Sequence, residues 1–219
     1  MDLSKINFPS SLFVTGIGTD VGKSFATGWL AREMNAAGIH CITQKMIQTG
    51  NVGRSEDIDR HRKIMGIDYL KADIDGTTAP IIFTYPASPH LAARLDGKEI
   101  DLDKISKATK VLEEEFGHVL IEGAGGLMVP LKGHYLTADY IADHHLPVVV
   151  TVTGQLGSIN HALLTFKALE SYGINLFAVI YNPFFDKDDT ICSDTRNYLK
   201  NWLASRFPES IWMEMPTIK

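Results

Sequence analysis

The sequence predicts a three-layer α/β fold around a mainly parallel sheet. Five short apolar runs punctuate the chain, and each is continuous rather than alternating, as in strands that are buried on both faces. Segments with helical spacing separate these runs, and such alternation is typical of parallel strands joined by right-handed helical crossovers. The predicted strands span residues 12–16, 39–45, 118–123, 147–152 and 176–182.

Helices are predicted wherever apolar residues recur at intervals of three or four positions. In the stretch "DLDKISKATKVLEEEFG" they lie at positions 102, 105, 108, 111 and 112. The region 51–100 is less regular, with a short helical stretch at 55–66 and a loop at 84–97 that contains two prolines and precedes another short helix. Three long helices are predicted, over residues 23–38, 101–117 and 158–173.

The composition indicates one folded domain covering residues 1–219. Hydrophobic residues make up 45% of the chain and charged residues 21%, which is ordinary for a globular protein. The formal net charge of −5 argues against a protein that coats nucleic acid, because phosphate neutralisation needs clustered Lys and Arg. A small anionic ligand stays compatible with this charge, since one local site can be positive.

Cysteine usage and apolar patterning predict a cytoplasmic protein. Cys41 and Cys192 form neither a disulfide framework nor a CxxC metal site. The N-terminal segment lacks an apolar core of signal-peptide length, and no stretch approaches 18 consecutive apolar residues. We therefore expect no membrane partner and no nucleic-acid partner.

The loop after the first predicted strand indicates a phosphate-binding site. Gly22-Lys23-Ser24 opens a helix directly after a Gly-rich turn, so backbone N–H groups and the helix dipole would face a phosphate. Lys23 would reach the terminal phosphates, and the Ser24 hydroxyl would bind Mg²⁺. The usual spacing requires Gly five positions before Gly22, but Ile17 stands there and Gly16 lies six positions before.

Charged residues end two other predicted strands. Ligands collect at the carboxyl ends of strands in such sheets, so Lys45 and Glu122 are candidates for a nucleotide site. A second cation beside a phosphate loop suits phosphoryl transfer, although a strand-end lysine can also be a plain surface residue. Glu122 occupies the position where nucleotide hydrolases place an acid near Mg²⁺, and glycines follow it at 123, 125 and 126. Asp57 is either a metal ligand or a helix N-terminal charge.

Two further loops leave their roles open. Gly157-Ser158 begins a helix whose free N–H groups could bind a carboxylate, or Ser158 could simply cap that helix. The Asn182 amide follows another strand and could read an adenine edge. The histidines show no metal-ligand spacing, and HExxH and GxSxG motifs are missing, which disfavours nucleophilic hydrolase chemistry.

These residues are similar to those of a known family, the dethiobiotin synthetases of biotin biosynthesis. The resemblance spans nearly the whole chain and rests on the order and spacing of its blocks. In that family five residues separate the first Gly of the phosphate loop from Gly-Lys-Thr/Ser, and Gly16 to Gly22 matches this spacing. The matching blocks are "FVTGIGTDVGKS", "QKMIQTG", "SED", "ASPH", "VLIEGAGGLMVPL", "LPVVV", "QLGSINHALLT", "IYN" and "EMP".

The resemblance implies a P-loop nucleoside-triphosphate hydrolase-like fold and an ATP-dependent ligase. The family's enzyme converts 7,8-diaminononanoate, CO₂ and MgATP to dethiobiotin, ADP and phosphate, through a carbamate and a carbamic–phosphoric anhydride. It implies Mg²⁺ as cofactor, ATP as co-substrate, and a homodimer whose substrate site lies near the subunit interface.

The resemblance also implies roles for individual residues. Lys45 is then the catalytic lysine, and Lys23 acts with it on the terminal phosphates. Mg²⁺ is implied at Ser24, Asp57 and Glu122. Substrate contacts are implied at Thr49, Gly125, Ser158 and Asn160, the last two from the partner subunit. Nucleotide contacts are implied at Asp20, Val21, Gly22, Lys23, Ser24, Phe25, Asp57, Glu122, Gly123, Ala124, Gly125, Asn182, Pro183, Pro216, Thr217 and Ile218.

Three features depart from the family pattern. Met46 follows the catalytic lysine where Pro is common, and Gly18 stands where an acidic residue or Asn is frequent. The chain ends at Lys219, where many members continue with a helix, so we expect fewer adenine contacts.

Two other protein classes compete with this interpretation. A partitioning or septum-placement ATPase of the deviant phosphate-loop type carries an early loop lysine, and no Lys lies between Leu12 and Gly22. An amidating ligase for a cobalamin precursor normally needs a glutaminase domain, for which 219 residues leave no room.

Overall fold

A six-stranded sheet forms the centre of the protein, as the computed structural model of residues 2–218 shows. The strands are β1 (Ser11–Gly16), β2 (Cys41–Lys45), β3 (Gln48–Thr49), β4 (Ile82–Phe83), β5 (His118–Glu122), β6 (Pro130–Lys132), β7 (Tyr135–Leu136), β8 (Val148–Thr153), β9 (Leu176–Asn182) and β10 (Ile211–Glu214). The main sheet has the order β10-β9-β8-β1-β5-β2 with every neighbouring pair parallel. The pairs β3–β4 and β6–β7 lie outside it.

Eight α-helices accompany these strands in residues 2–218. The three predicted long helices and the five predicted strands are confirmed, and their observed ends differ from the predicted ends by at most two residues. Among the described residues, no helix is both long and apolar enough to cross a membrane. The helices are α1 (Lys23–Ala36), α2 (Glu56–Met65), α3 (Lys71–Ile74), α4 (Pro89–Leu95), α5 (Leu102–Phe116), α6 (Thr137–Asp143), α7 (Ser158–Tyr172) and α8 (Asp189–Arg206), with 3₁₀ turns at Leu3–Lys5 and Pro183–Phe185.

The two faces of the sheet are buried against different helices. Leu12 and Val14 of β1 belong to one core cluster, which also contains Leu30 of α1. Phe13 points the opposite way, because successive strand residues alternate between faces, and belongs to a second cluster with Phe166 of α7. Both faces are therefore covered, which confirms the three-layer α/β architecture.

The sequence did not predict the helices α3, α6 and α8 or the strands β3, β4, β6, β7 and β10. In α8 and β10 the buried positions carry weak signals. The residues of α8 that are buried are Cys192, Thr195, Leu199 and Leu203, so only half of them are large and apolar. The edge strand β10 is four residues long and has one buried position, Met213. Both elements are specified by tertiary packing more than by local periodicity.

Strand register places the charged strand ends side by side. Lys45 and Glu122 are the last residues of β2 and β5, and they are direct partners in the parallel ladder. Glu122 is also paired with Val14 of β1, two residues before that strand ends. The carboxyl ends of β1, β5 and β2 thus form one edge.

A buried ion pair joins α2 to α3. The Arg62 guanidinium donates to both carboxylate oxygens of Asp73, over 2.9 and 2.8 Å, and both side chains are about 3% exposed. Asp73 also accepts from the Leu70 N–H and the Thr78 hydroxyl. Burial alone would raise the pKa of Asp73, but Arg62 and these donors outweigh it and hold that pKa below its ordinary 3.8.

We predict that Asp73→Asn lowers the free energy of unfolding by about 3–5 kcal/mol at neutral pH, because Arg62 loses its counter-charge in a buried position. The lowered pKa of Asp73 stabilises the fold above pH 3.8, and this contribution is lost as pH falls. The difference between wild type and variant should therefore shrink in urea unfolding curves taken below that pH.

The control is Glu99→Gln, which removes an exposed pair with Lys132 and should leave the unfolding midpoint nearly unchanged. If Asp73→Asn changes the free energy of unfolding only slightly, or by the same amount at every pH, the Arg62–Asp73 pair does not have this role.

Candidate functional site

The loop between β1 and α1 has the geometry of an anion cradle. Gly22 precedes α1 with φ of +90°, a conformation that favours glycine, and a Cβ there would collide with the side-chain nitrogen of Asn182. Lys23 is the first helical residue, and its Nζ donates across the loop to the Gly18 carbonyl at 2.8 Å. The N-terminus of α1 therefore opens onto the loop with a cation beside it.

The extra residue of the loop is absorbed where β1 ends. The Ile17 N–H donates to the Thr151 carbonyl of β8 at 3.2 Å, so the hydrogen bonding of the sheet continues one residue beyond Gly16. A Cβ on Gly16 would lie 2.5 Å from Val21 Cγ2 and 3.0 Å from Lys23 Cγ. The loop thus folds back tightly over Gly16, which explains why glycine stands six positions before Gly22.

A largely buried charge cluster joins the ends of β2 and β5 to the first turns of α1 and α2. Lys45 Nζ lies 2.7 Å from Glu122 Oε1 and 2.7 Å from Asp57 Oδ2. The Ser24 hydroxyl lies 2.6 Å from Asp57 Oδ1 and 2.9 Å from Glu122 Oε1, so its one proton can serve either carboxylate. The structure therefore brings together the four side chains that the sequence suggested separately; their roles stay predictions.

Their contacts favour the charged forms of Lys45 and Glu122 despite burial. Burial disfavours the charged form of Lys45, but Glu122 and Asp57 outweigh this and raise the pKa of Lys45. Burial likewise opposes the charged form of Glu122, yet Lys45 and His61 hold the pKa of that carboxyl well below its usual range. Lys23 differs, because burial dominates and lowers its pKa. An anion beside Lys23 would supply the missing compensation.

The side chains of the charge cluster line a cavity of about 330 Å³. Most of the residues predicted to bind nucleotide or substrate line it, whereas Val21, Gly123, Pro183, Pro216 and Thr217 lie beside it in the chain and do not. The predicted residues that line the cavity are Asp20, Gly22, Lys23, Ser24, Phe25, Lys45, Thr49, Asp57, Glu122, Ala124, Gly125, Asn182 and Ile218.

Two predicted substrate residues lie elsewhere. The Ser158 hydroxyl is buried and pairs with the Thr153 hydroxyl at 2.7 Å. The alternative that Ser158 caps α7 is wrong, because Gly157 occupies the N-cap position and Ser158 is the first helical residue. Asn160 lines a separate groove between α7 and α8, together with the exposed Leu156. Neither Ser158 nor Asn160 therefore lines the cavity.

Asn182 ties the phosphate loop to the turn after β9. Its Nδ2 donates to the Val21 carbonyl at 3.0 Å, and its Oδ1 accepts from the Phe184 N–H at 3.1 Å. The amide keeps one N–H and one lone pair for another partner. Its position is therefore compatible with an adenine contact, but it also has a structural task that the sequence did not reveal.

Several cavity residues were missed by the sequence reasoning. Phe184 and Phe185 line the cavity with their rings edge to face, 5.1 Å apart, and Arg60 stacks over Phe25 at 5.3 Å. The pair "FF" directly after a strand end was an available signal, since aromatic rings at such an edge can stack on a base. Arg60 and Gln48 carried no comparable signal.

Met46 stands where proline is common in the family, and its backbone N–H forms an additional hydrogen bond. The Met46 N–H donates to the Glu122 carbonyl at 3.0 Å, which a proline could not do. The pairing of β2 with β5 is thus prolonged by one hydrogen bond beyond Lys45. This bond holds the backbone of β2 next to that of β5 at the position of Lys45 and Glu122.

The donor set of Ser24, Asp57 and Glu122 fits a hard divalent cation. Two carboxylates and a hydroxyl supply oxygen ligands of the kind that Mg²⁺ prefers, and phosphate oxygens and water normally complete its octahedron. Within residues 2–218, no group of three His, Cys, Asp or Glu side chains forms a complete protein-only metal site. The oxygen ligands of Ser24, Asp57 and Glu122 are compatible with Mg²⁺.

A solved structure and a family model support the nucleotide-binding fold. The chain aligns with the signal recognition particle receptor FtsY from Elizabethkingia anophelis in complex with GDP, with a TM-score of 0.52 and 15% identity. The match covers 94% of this chain and 57% of that one. At this identity the likeness concerns the fold, which is that of the P-loop nucleoside triphosphatases. The family model described as "AAA domain" matches residues 10–201.

Curated relatives are more similar. The chain is 45% identical to the ATP-dependent dethiobiotin synthetase BioD 2 of Pasteurella multocida, over 94% of this chain and 97% of the relative. It is 42% identical to BioD 2 of Haemophilus ducreyi, over 93% and 97%. It is 47% identical to the ATP-dependent dethiobiotin synthetase BioD of Chlorobaculum tepidum, over 86% and 79%. The chain therefore belongs to the dethiobiotin synthetase family.

Proposed function

We propose that this protein is an ATP-dependent dethiobiotin synthetase, which closes a ureido ring on 7,8-diaminononanoate with CO₂. The observation that carries the proposal is the buried position of Lys45, within 2.7 Å of Asp57 and Glu122 beside the phosphate loop. An ammonium at this position would stabilise negative charge both on the γ-phosphate of a bound nucleotide and on the group that accepts the phosphate. We take the acceptor to be the carbamate of 7,8-diaminononanoate, because the relatives are dethiobiotin synthetases.

The reaction needs no protein nucleophile. One amine of the diamine adds to CO₂, giving a carbamate and a proton. A carbamate oxygen attacks the γ-phosphorus and ADP leaves, which forms a carbamic–phosphoric anhydride. The second amine attacks the carbonyl carbon, the C–O bond to phosphate breaks, and the ring closes as phosphate and a proton depart. What the protein supplies is proximity and charge neutralisation.

The two lysines divide the neutralisation between them. Lys23 binds the β- and γ-phosphates from the first turn of α1, and its present partner, the Gly18 carbonyl, is a neutral group that a phosphate oxygen can replace. Lys45 stabilises the charge that develops between carbamate and γ-phosphate. Because its Nζ is already fixed by two carboxylates, little reorganisation is needed during the reaction.

Mg²⁺ is the metal that we assign to this reaction, bound by Ser24, Asp57 and Glu122. When bound, it neutralises charge on the phosphate oxygens. The Ser24 hydroxyl lies within hydrogen-bond distance of both carboxylates, so the three side chains lie close enough to share one ion.

The diamine site is proposed at Thr49 and Gly125, both of which line the cavity. Ser158 and Asn160 lie outside it, and we propose that they contact substrate bound in the partner subunit of a homodimer. The exposed side chains of Leu156 and Leu164, on either side of Asn160, support an interface there. Because ATP is the co-substrate, we place the reaction in the cytoplasm, and we treat residues 1–219 as one catalytic domain.

We predict that the purified protein releases phosphate from ATP only when 7,8-diaminononanoate and bicarbonate are both present. Lys45→Ala should lower kcat by at least about 10²–10³-fold, because a preorganised charge at the transition state is lost. The matched control is Lys110→Ala, which removes an exposed lysine of α5 and should leave kcat unchanged.

Phosphate release that ignores the diamine would refute the proposed function. ATP-dependent dimerisation without any small organic substrate would instead support a switch ATPase.

We further predict that Asp57→Asn raises the Mg²⁺ concentration for half-maximal activity by about tenfold or more, since ligand charge sets the affinity for hard cations. The measurement is a Mg²⁺ titration of phosphate release at saturating ATP. Glu56→Gln is the control, because Glu56 is an exposed neighbour in the same first turn of α2. An unchanged Mg²⁺ requirement in Asp57→Asn would exclude this residue as a metal ligand.

A further inference from the structure

His61 is a fully buried histidine that the reaction scheme does not use. Its side chain is 0% exposed, and Nε2 lies 2.7 Å from Glu122 Oε2, the oxygen that faces away from Lys45 and Ser24. On the other side of the ring, Nδ1 lies 3.0 Å from the Thr43 hydroxyl. His61 therefore bridges strand β2 and the carboxylate that ends β5.

The surrounding hydrogen bonds assign the tautomer of this ring. A carboxylate can only accept, so Nε2 carries the proton that bonds to Glu122. Arg62 Nη1 donates to the Thr43 oxygen at 2.9 Å, and the Thr43 hydroxyl proton is then free to bond to Nδ1. A neutral imidazole satisfies every partner in this arrangement.

Helix packing fixes the ring in this position. The helices α1 and α2 approach closely at Gly28, where a Cβ would lie 3.2 Å from the His61 Cα and 3.1 Å from Ile64 Cβ. The following residue, Arg62, is bound to Asp73 through two hydrogen bonds. The imidazole therefore has little freedom to rotate. Through its hydrogen bond it also restricts rotation of the Glu122 carboxylate.

We infer that His61 and Thr43 form a positioning pair that orients Glu122. Because His61 occupies Oε2, the other oxygen is the one presented to Ser24 and Lys45, at 2.9 and 2.7 Å. A bound Mg²⁺ would then be held by one oriented oxygen of Glu122 instead of a carboxylate that can rotate. Outer-shell donors of this kind commonly determine metal affinity. The inference rests on the proposed function, which assigns the metal to this carboxylate.

The test compares variants that remove or retain the two hydrogen bonds. His61→Leu removes both, whereas His61→Gln keeps an N–H donor for Glu122 and an oxygen acceptor for Thr43. Thr43→Val and Thr43→Ser form a second pair, which decides the matter if His61→Leu does not fold. The matched control is Thr109→Val, which removes another buried hydroxyl, bonded to Gln44 at 2.7 Å.

The readout is the affinity for Mn²⁺, measured by electron paramagnetic resonance with a non-hydrolysable ATP analogue, alongside kcat and KM. We expect His61→Leu and Thr43→Val to weaken Mn²⁺ binding by about 10–100-fold and to lower kcat, with KM for the diamine unchanged. His61→Gln, Thr43→Ser and Thr109→Val should bind Mn²⁺ like the wild type, even where their melting temperatures fall.

Wild-type Mn²⁺ affinity in His61→Leu or Thr43→Val would overturn the inference, and so would a His61→Gln variant as weak as His61→Leu. Either result would leave His61 a packing residue. A wild-type protein that fails to turn over the diamine would refute the proposed function instead. In that case the Mn²⁺ affinities of the variants still test the positioning pair, because that measurement uses no diamine.

Discussion

The rest of the site depends on one buried interaction, the contact of Lys45 with Glu122 and Asp57 at the end of the sheet. Burial removes hydration from Lys45 and Glu122, a penalty of several kcal/mol per ion, and these charges are tolerated because opposite charges lie within hydrogen-bond distance. The parallel register of β2 with β5 makes Lys45 and Glu122 neighbours, and the Met46 hydrogen bond extends that register. A shift by one residue would turn one of the two side chains to the other face.

This cluster also explains how the phosphate loop and the strand ends work as a unit. Ser24 belongs to the first turn of α1, yet its hydroxyl contacts carboxylates from α2 and β5. Lys23 lacks a carboxylate partner at hydrogen-bond distance among the described residues, and burial lowers its pKa. The protein thus has an internally neutralised lysine next to one that an anionic ligand would stabilise. Such fixed charges lower a barrier without reorganisation.

Much of this arrangement was predictable from local patterns. Continuous apolar runs and the Gly-Lys-Ser helix start predicted the sheet and the phosphate loop, and strand-end positions selected Lys45 and Glu122. The role of His61 was not predictable, because its contacts with Glu122 and Thr43 span 61 and 18 residues of sequence and leave no periodic signal. The same limit applies to Asn182, whose partner Val21 is 161 residues away. Long-range contacts between polar side chains are set by the fold as a whole.

We propose that this site transfers phosphate to a carbamate derived from CO₂. The most direct test uses bicarbonate labelled with ¹⁸O and mass analysis of the phosphate released in the first turnovers, before the label exchanges with water. When the carbamate attacks the γ-phosphorus, one oxygen of CO₂ is transferred to the released phosphate. We therefore expect phosphate with one ¹⁸O atom for each ring closed. Unlabelled phosphate, formed while dethiobiotin accumulates, would contradict it.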